Sequence, residues 1–284
     1  MTLTSIRRFA RLRRLPLLPL AMVAATVLVA LFADVLAPHD PLGINPAARQ
    51  MPPVFAGGSW EHPLGTDRLG RDVFSRIVLG TQISLGVAVA TILLGGLIGT
   101  VLGLVAGYRG GWIDALVMRS ADGFLAFPSI LLALVLAVTV GPSFTVVVVV
   151  LALVLWARFA RLVRGEVLAI KERDYILLAR VAGAGGAYIV WRHILPNILN
   201  TLVVLCTLQV GWAIIVEASL TFLGAGVPPP TPTWGGMVAE GLDYIESAWW
   251  ISVMPGLAIL LVVFSYNTVG DWLRDVLDPQ LRNV

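Results

Sequence analysis

The chain carries little charge and almost none of the side-chain chemistry that enzymes use. Of its 284 residues only 13% are Asp, Glu, Lys or Arg, against about 25% in a soluble domain. One cysteine, Cys206, lies in an apolar run. No disulfide within the chain is therefore possible, and the residue reads as a small buried hydrophobe. The three histidines, His39, His62 and His193, stand far apart without metal-ligand spacing, so no metal site is expected. Lys171 is the only lysine, and Glu172 follows it. A phosphate-binding loop needs a lysine followed by Ser or Thr after a glycine-rich stretch, so ATP hydrolysis by that route is excluded. There is no His-Glu-x-x-His motif and no Cys–His pair of plausible spacing, which counts against an intramembrane enzyme. Neither a catalytic residue nor a cofactor is expected in this chain.

What is abundant is apolar. Hydrophobic residues make up 58% of the chain and the mean hydropathy is +0.87. That excess over the usual 45–50% is too large for a water-soluble core of this length, so much of the surface must face lipid. An all-α integral membrane protein follows, because a bilayer core about 30 Å thick takes roughly 20 apolar residues of helix. Six segments qualify: about Leu15 to Leu36, Ile83 to Tyr108, Gly123 to Val140, Ser143 to Ala157, Ile198 to Leu220 and Trp249 to Val269. The fourth is short and is expected to continue as helix toward Arg164. Only the turn signal Gly141-Pro142 separates the third from the fourth.

The basic residues orient these spans. With the N-terminus inside, the inner segments collect sixteen of the twenty, including Arg7, Arg8, Arg11, Arg13 and Arg14, and a cluster from Arg158 to Arg192. The other four, Arg49, Arg68, Arg71 and Arg76, lie in the first outer loop beside Asp40, Glu61, Asp67 and Asp72. The last outer loop, about Thr221 to Ala248, has no basic residue. This asymmetry places both termini in the cytoplasm. The pI near 9.4 thus reflects membrane topology rather than nucleic-acid binding. A cleaved export signal is the rival for the N-terminus, since Ser5-Ile6-Arg7-Arg8-Phe9 partly resembles a twin-arginine motif. The following stretch, however, is as long as a full span. The expected organisation is a basic segment 1–14, a first span 15–36, an outer loop 37–82, a transmembrane core 83–270 containing a long inner loop 158–197, and a tail 271–284.

That inner loop is the most informative region. Glu166 to Val181 is rich in helix formers, with Asp174 placed to start a helix. Gly183, Ala184, Gly185 and Gly186 then interrupt it, and Ala187 to Ile194 is a second helical stretch ending at Leu195-Pro196-Asn197. Two short helices around a small-residue bend make a knob suited to another protein's groove. Elsewhere, Gly95, Gly99, Gly103 and Gly107 recur every four residues, a spacing that lets helices approach closely. Packing within the subunit is the plainer reading, and a subunit interface or pore-facing groove the sharper one. Arg119 and Asp122, three apart, are placed to pair on a helix, as a structural ion pair or a gate. Phe127-Pro128 is placed to kink its span. Glu217 is the one carboxylate well inside an apolar segment, a pore candidate by default; it could instead cap the span or pair with Arg71 or Arg76. Trp212, Trp234, Trp249 and Trp250 read mostly as interfacial anchors. The Pro228 to Pro232 stretch would stiffen an outer lid.

Four segments carry a resemblance. Ala179, Gly183, Leu195 and Pro196 match the cytoplasmic Glu-Ala-Ala…Gly…Leu-Pro signature of importer permeases that use an external binding protein, with Leu177 and Leu178 standing where Glu and Ala are usual. His62-Pro63-Leu64-Gly65-Thr66-Asp67 through Gly70-Arg71-Asp72-Val73-Phe74-Ser75-Arg76 resembles a hallmark of the second membrane subunit in the dipeptide, oligopeptide and nickel branch. So do Glu217 to Gly224 with Pro228-Pro229 and Trp234-Gly235, and the tail from Gly270 to Asp275 ending in Asp278-Pro279. The chain thus resembles an ABC importer permease of that branch from about Ala37 to Arg282. The resemblance implies the type I importer permease fold in a bacterial or archaeal plasma membrane. It also implies a heterodimeric pore with a second permease, two cytoplasmic ATPases that bind ATP and Mg, and an extracytoplasmic binding protein. Glu172, Arg173, Asp174, Ala179, Arg180, Gly183 and Ala184 would form the ATPase-coupling surface. Peptides are the expected cargo, with nickel complexes or other small solutes as alternatives. A secondary transporter or channel fits less well, because the spans are nearly charge-free and no internal repeat is evident.

Overall fold

The computed structural model describes residues 15–277. Among them, every regular element is helical apart from one isolated bridge between Thr66 and Asp72. The basic segment 1–14 and the Asp278-Pro279 end of the tail lie outside the described residues. We number the helices α1 (Leu17–Leu31), α2 (Ala33–Leu36), α3 (Val73–Arg109), α4 (Gly111–Ala126), α5 (Ser129–Val140), α6 (Phe144–Lys171), α7 (Asp174–Val181), α8 (Gly186–Ile189), α9 (Leu195–Phe222), α10 (Trp234–Leu242) and α11 (Trp250–Leu277).

Four helical stretches are long and apolar enough to cross a bilayer: α3, α6, the run Gly186–Phe222 ending in α9, and α11. The third expected span is not one rod. α4 and α5 meet at 92° across Phe127-Pro128. Pro128 has no N–H to donate, and the residue before proline is driven out of the α region; Phe127 is extended, at φ −91° and ψ 144°. The first expected span is a 15-residue helix that breaks at Phe32 before the single turn of α2.

The second span begins ten residues earlier than its apolar run. Asp72 accepts a hydrogen bond from the Ser75 N–H and so caps α3 at Val73. α3 then runs 37 residues, about 55 Å at 1.5 Å per residue. That is longer than a bilayer core, so its first turns belong to the polar loop structure rather than the span. Likewise α6 reaches Lys171, taking Arg158, Arg161 and Arg164 into a continuous helix and shortening the inner loop. The helix formers from Glu166 to Val181 divide between α6 and α7 at Glu172-Arg173, where Arg173 is extended. α11 continues through the start of the expected tail to Leu277.

The most extensive pairing joins α3 to α6, and the glycine stripe makes it. A Cβ on Gly95 or Gly103 would stand 3.0 or 2.6 Å from the carbonyls of Ala152 and Ala160. One on Gly99 would collide with the Trp156 carbonyl, and one on Gly107 would lie 3.1 Å from that of Arg164. Residues 152, 156, 160 and 164 also advance in fours. Two rows of i, i+4 residues therefore interlock, and the partner helix follows the drift of the glycines around α3. The stripe packs within the subunit.

Candidate functional site

Polar chemistry gathers at three levels along α3: its Val73 end, its middle, and its Arg109 end. At the Val73 end the loop from Ala37 to Asp72 folds back on itself. Asp67 accepts from the backbone N–H groups of Leu69 and Arg71, from Arg71 Nε at 2.6 Å and from Arg76 Nη1 at 2.5 Å. Both guanidiniums then reach Glu240 on α10, at 2.8 Å from Arg71 and 2.9 Å from Arg76. Arg76 and Asp67 are each 1% exposed at the side chain. Two cations and two carboxylates thus fasten the first loop to the last one. Trp250 Nε1 adds a hydrogen bond to the Thr66 carbonyl, and Trp234 Nε1 one to that of Ile77. These two indoles are buried brackets, not the interfacial anchors expected; Trp249 is the exposed one of the adjacent pair. Trp212 packs under the guanidinium of Arg158, 4.6 Å from its ring centre.

In the same corner the structure corrects the reading of the histidines. His39 and His62 lie side by side with ring centres 4.7 Å apart and planes tilted by 39°. Only His193 is remote, between Tyr175 and Tyr188. Sequence distance hid the pairing because the connecting loop doubles back.

One level down, Glu217 is fully buried. Its two oxygens accept from Ser84 Oγ at 3.0 Å and from Thr221 Oγ1 at 2.9 Å. It pairs with neither Arg71 nor Arg76, whose guanidiniums bond to Asp67 and Glu240. It links α9 to α3 through hydroxyls, a signal that sequence spacing does not carry.

At the Arg109 end, Asp122 pairs with Arg161 of α6 rather than with Arg119. Asp114 takes a two-pronged bond from Arg164, at 2.8 and 2.6 Å. With Ala115, Met118 and Arg119 these four charges line a cavity of about 440 Å³ between α4 and α6. α4 holds α6 through two ion pairs because both helices bring their charges to the same wall.

The knob is built on the backbone. α7 ends in a left-handed residue, Gly183, at φ +84°. The Ala184 N–H donates to the Ala179 carbonyl and the Gly183 N–H to that of Arg180. This crossed pair of bonds is the Schellman stop, which satisfies two carbonyls the helix leaves free and favours glycine at the left-handed position. Gly186 sits against the Tyr108 ring, where a Cβ would come within 2.9 Å. Arg180 lies 5.8 Å above the same ring. The Lys171 ammonium donates to the Gly107 carbonyl. Ile176, Ile189, Ile194 and Ile198, all fully buried, pack with Val163, Val167 and Ile170 and root the knob in the bundle.

The junction with α9 is a π-helical turn, Val190–Ile194. Pro196 removes one N–H from the ladder, and Asn197 Nδ2 adds a hydrogen bond to the His193 carbonyl at the same turn. Glu172, Arg173, Asp174, Arg180 and Gly183 are exposed, while Ala179 and Ala184 are half-buried beneath them. The face also presents apolar residues that sequence reasoning did not pick out: Leu178 is 67% exposed, Val181 87% and Trp191 71%. Leu177 and Leu178 are the departures from the permease signature, and that substitution was the available signal.

Comparison with known proteins gives a consistent picture. The dipeptide transport system permease protein DppC of Alkalihalophilus pseudofirmus is 41% identical over 270 residues, covering 95% of this chain and 87% of that one. The glutathione transport system permease protein GsiD of Pectobacterium atrosepticum is 43% identical over 261 residues, 92% and 85% of the two chains. The di/tripeptide transport system permease protein DppC of Pseudomonas aeruginosa is 42% identical over 258 residues, 90% and 85%. Residues 99–283 match the model of binding-protein-dependent transport system inner membrane components, and the chain belongs to that family.

Proposed function

We propose that the chain is one of two membrane subunits of an ATP-driven peptide importer, forming half of the pore. The observation that carries this reading is the knob. Two short helices and the π-helical turn after them leave Leu178, Val181 and Trp191 exposed, at the end of the bundle where the basic residues gather. An apolar face of that kind marks a protein contact. Two cytoplasmic ATPases, one of them seated on this knob, supply the energy, since the chain lacks a phosphate-binding loop of its own. The names of the relatives support peptide cargo. Both termini lie in the cytoplasm by the distribution of Arg and Lys. The Asp67–Arg71–Arg76–Glu240 end then faces outward, toward an external binding protein. A second permease completes the pore.

Within that frame the exposed residues Glu172, Arg173, Asp174, Arg180 and Gly183 form the contact rim. Ala179 and Ala184 set its geometry through the helix stop. Closure of the ATPase pair moves the knob, and its roots on Gly107, Tyr108 and α6 carry the motion into the spans. Arg119 and Asp122 sit on the cavity wall between α4 and α6, where opening changes their surroundings, and are the inner gate candidates. Glu217, on the contact of α3 with α9, is the pore candidate.

The test is purification of the tagged chain from its native membrane with whatever accompanies it, followed by peptide-stimulated ATPase assay. Leu178→Asp/Val181→Asp is expected to insert normally, keep its second permease and lose the ATPases. A chain that purifies alone and moves solute without ATP would overturn the proposal.

A further inference from the structure

The Val73 end holds a cluster that the importer reading does not use. His39, Glu61 and His62 each offer one ligand atom, and the three atoms lie within 4.8 Å of one another. Glu61 and His62 are adjacent in the chain, and folding brings His39, from the start of the first loop, to them. His39 is held by its backbone N–H, which donates to Ser75 Oγ at 3.1 Å. His62 is held by its ring, with Nδ1 3.0 Å from Asp72 Oδ1. Asp72 is itself fixed as the cap of α3, its other oxygen taking the Ser75 N–H and hydroxyl at 2.8 and 2.6 Å.

Two features of this arrangement belong to cation sites. First, a carboxylate on one ring nitrogen of a histidine fixes the tautomer and aims the other nitrogen, the device that orients metal-binding imidazoles. Asp72 on Nδ1 of the buried His62 leaves Nε2 as the nitrogen that can ligate. Second, Nδ1 of His39 is buried and has no hydrogen-bond partner; the nearest carboxylate oxygen, Asp72 Oδ2, is 3.9 Å away. A buried polar atom without a partner is unfavourable, and ligation or an ion-ordered water removes that cost. Glu61 is exposed, which leaves the cluster open to solvent on one side.

We propose that His39, Glu61 and His62 bind one divalent transition-metal cation, Zn²⁺ by preference. Two imidazoles and one carboxylate suit zinc among the common ions, with a water in the fourth position. Calcium and magnesium, which take oxygen ligands, are disfavoured. The ion clips the start of the first loop and its Glu61-His62 segment to the capped end of α3, on the outer face in the orientation proposed above. It is a fastening of the loop beside the buried arginine network, and transport chemistry does not run through it.

The experiment counts metal and does not depend on transport. The full-length chain is purified in mild detergent with the subunits that accompany it, stripped with chelator, equilibrated with ZnCl₂, desalted and analysed by inductively coupled plasma mass spectrometry. His39→Ala is expected to hold one zinc fewer per copy than the parent while eluting identically in size-exclusion chromatography. Equal zinc in the two overturns the proposal. Should His39→Ala fail to assemble, Glu61→Gln changes only an exposed carboxylate. At limiting zinc it is expected to bind at least tenfold more weakly, since even outer-shell partners cost about 10–100-fold. Unchanged zinc affinity in Glu61→Gln overturns the proposal equally.

Discussion

Arg76 is the residue whose loss the structure prices most clearly. Its side chain is 1% exposed and bridges Asp67, equally buried, to Glu240, which is 25% exposed. Arg76→Met keeps the length and the apolar stem but removes the cation, leaving two carboxylates with one guanidinium between them. Breaking a buried ion pair by deleting one partner typically costs about 3–5 kcal/mol. Asp67 keeps Arg71 and two backbone N–H donors, which places this case at the low end, about 3 kcal/mol. Glu240→Gln removes the more exposed charge and keeps an acceptor, so about 1 kcal/mol is expected. Because the two residues share a network, the double variant should cost less than the sum, a coupling within the 0.5–3 kcal/mol seen for contacting residues. Arg49→Met, at an exposed arginine of the same loop, should fall within about 0.5 kcal/mol of the parent. The measurement is equilibrium unfolding in a fixed detergent, with membrane abundance as a second readout. Arg76→Met and Arg49→Met of equal stability would refute the claim that the buried network fastens the first loop to α10.

Three other perturbations test the remaining levels. Gly103→Val places methyl groups where the Ala160 carbonyl and Val163 Cβ already stand at 2.6 and 2.8 Å from a bare Cβ; a loss of about 1–3 kcal/mol or more is expected in the same unfolding assay, with Gly123→Val, where a Cβ meets nothing, as the milder control. Gly183→Val forces a branched residue to φ +84°, a strain of about 1–3 kcal/mol. Its readout is loss of ATPase co-purification and peptide uptake with membrane insertion retained, and full uptake would contradict the role of the helix stop. Glu217→Leu strands the Ser84 and Thr221 hydroxyls and should cost about 1–3 kcal/mol, whereas Glu217→Gln should stay near the parent in stability. Loss of uptake in Glu217→Gln would then mark a pore function, and normal uptake a packing one.

Much of the molecule is determined by the order of its residues alone. Apolar runs set by bilayer thickness announce the spans, and Gly183 between α7 and α8 reads as a stop because glycine takes a left-handed turn without strain. The bend at Phe127-Pro128 is likewise local, since proline dictates it within one residue. Helix ends were less legible. Hydropathy marks where lipid begins, whereas Asp72 caps α3 so that it starts at Val73, ten residues before that point.

Partnership of charges was decided by the tertiary structure. Arg119 and Asp122 are neighbours by spacing, yet Asp122 turns to Arg161, thirty-nine residues away, because α4 folds against α6. Glu240 had no local cation, and the arginines it holds, Arg71 before α3 and Arg76 in its first turn, stand more than 160 residues earlier. His39 and His62 meet only because Ser75 and Asp72 gather both strands of the loop onto one helix end. Propensity and hydropathy act over one helical turn or one bilayer. Ion pairs and ligand clusters need side chains within a few ångströms, and which distant residues come that close is a property of the packed chain.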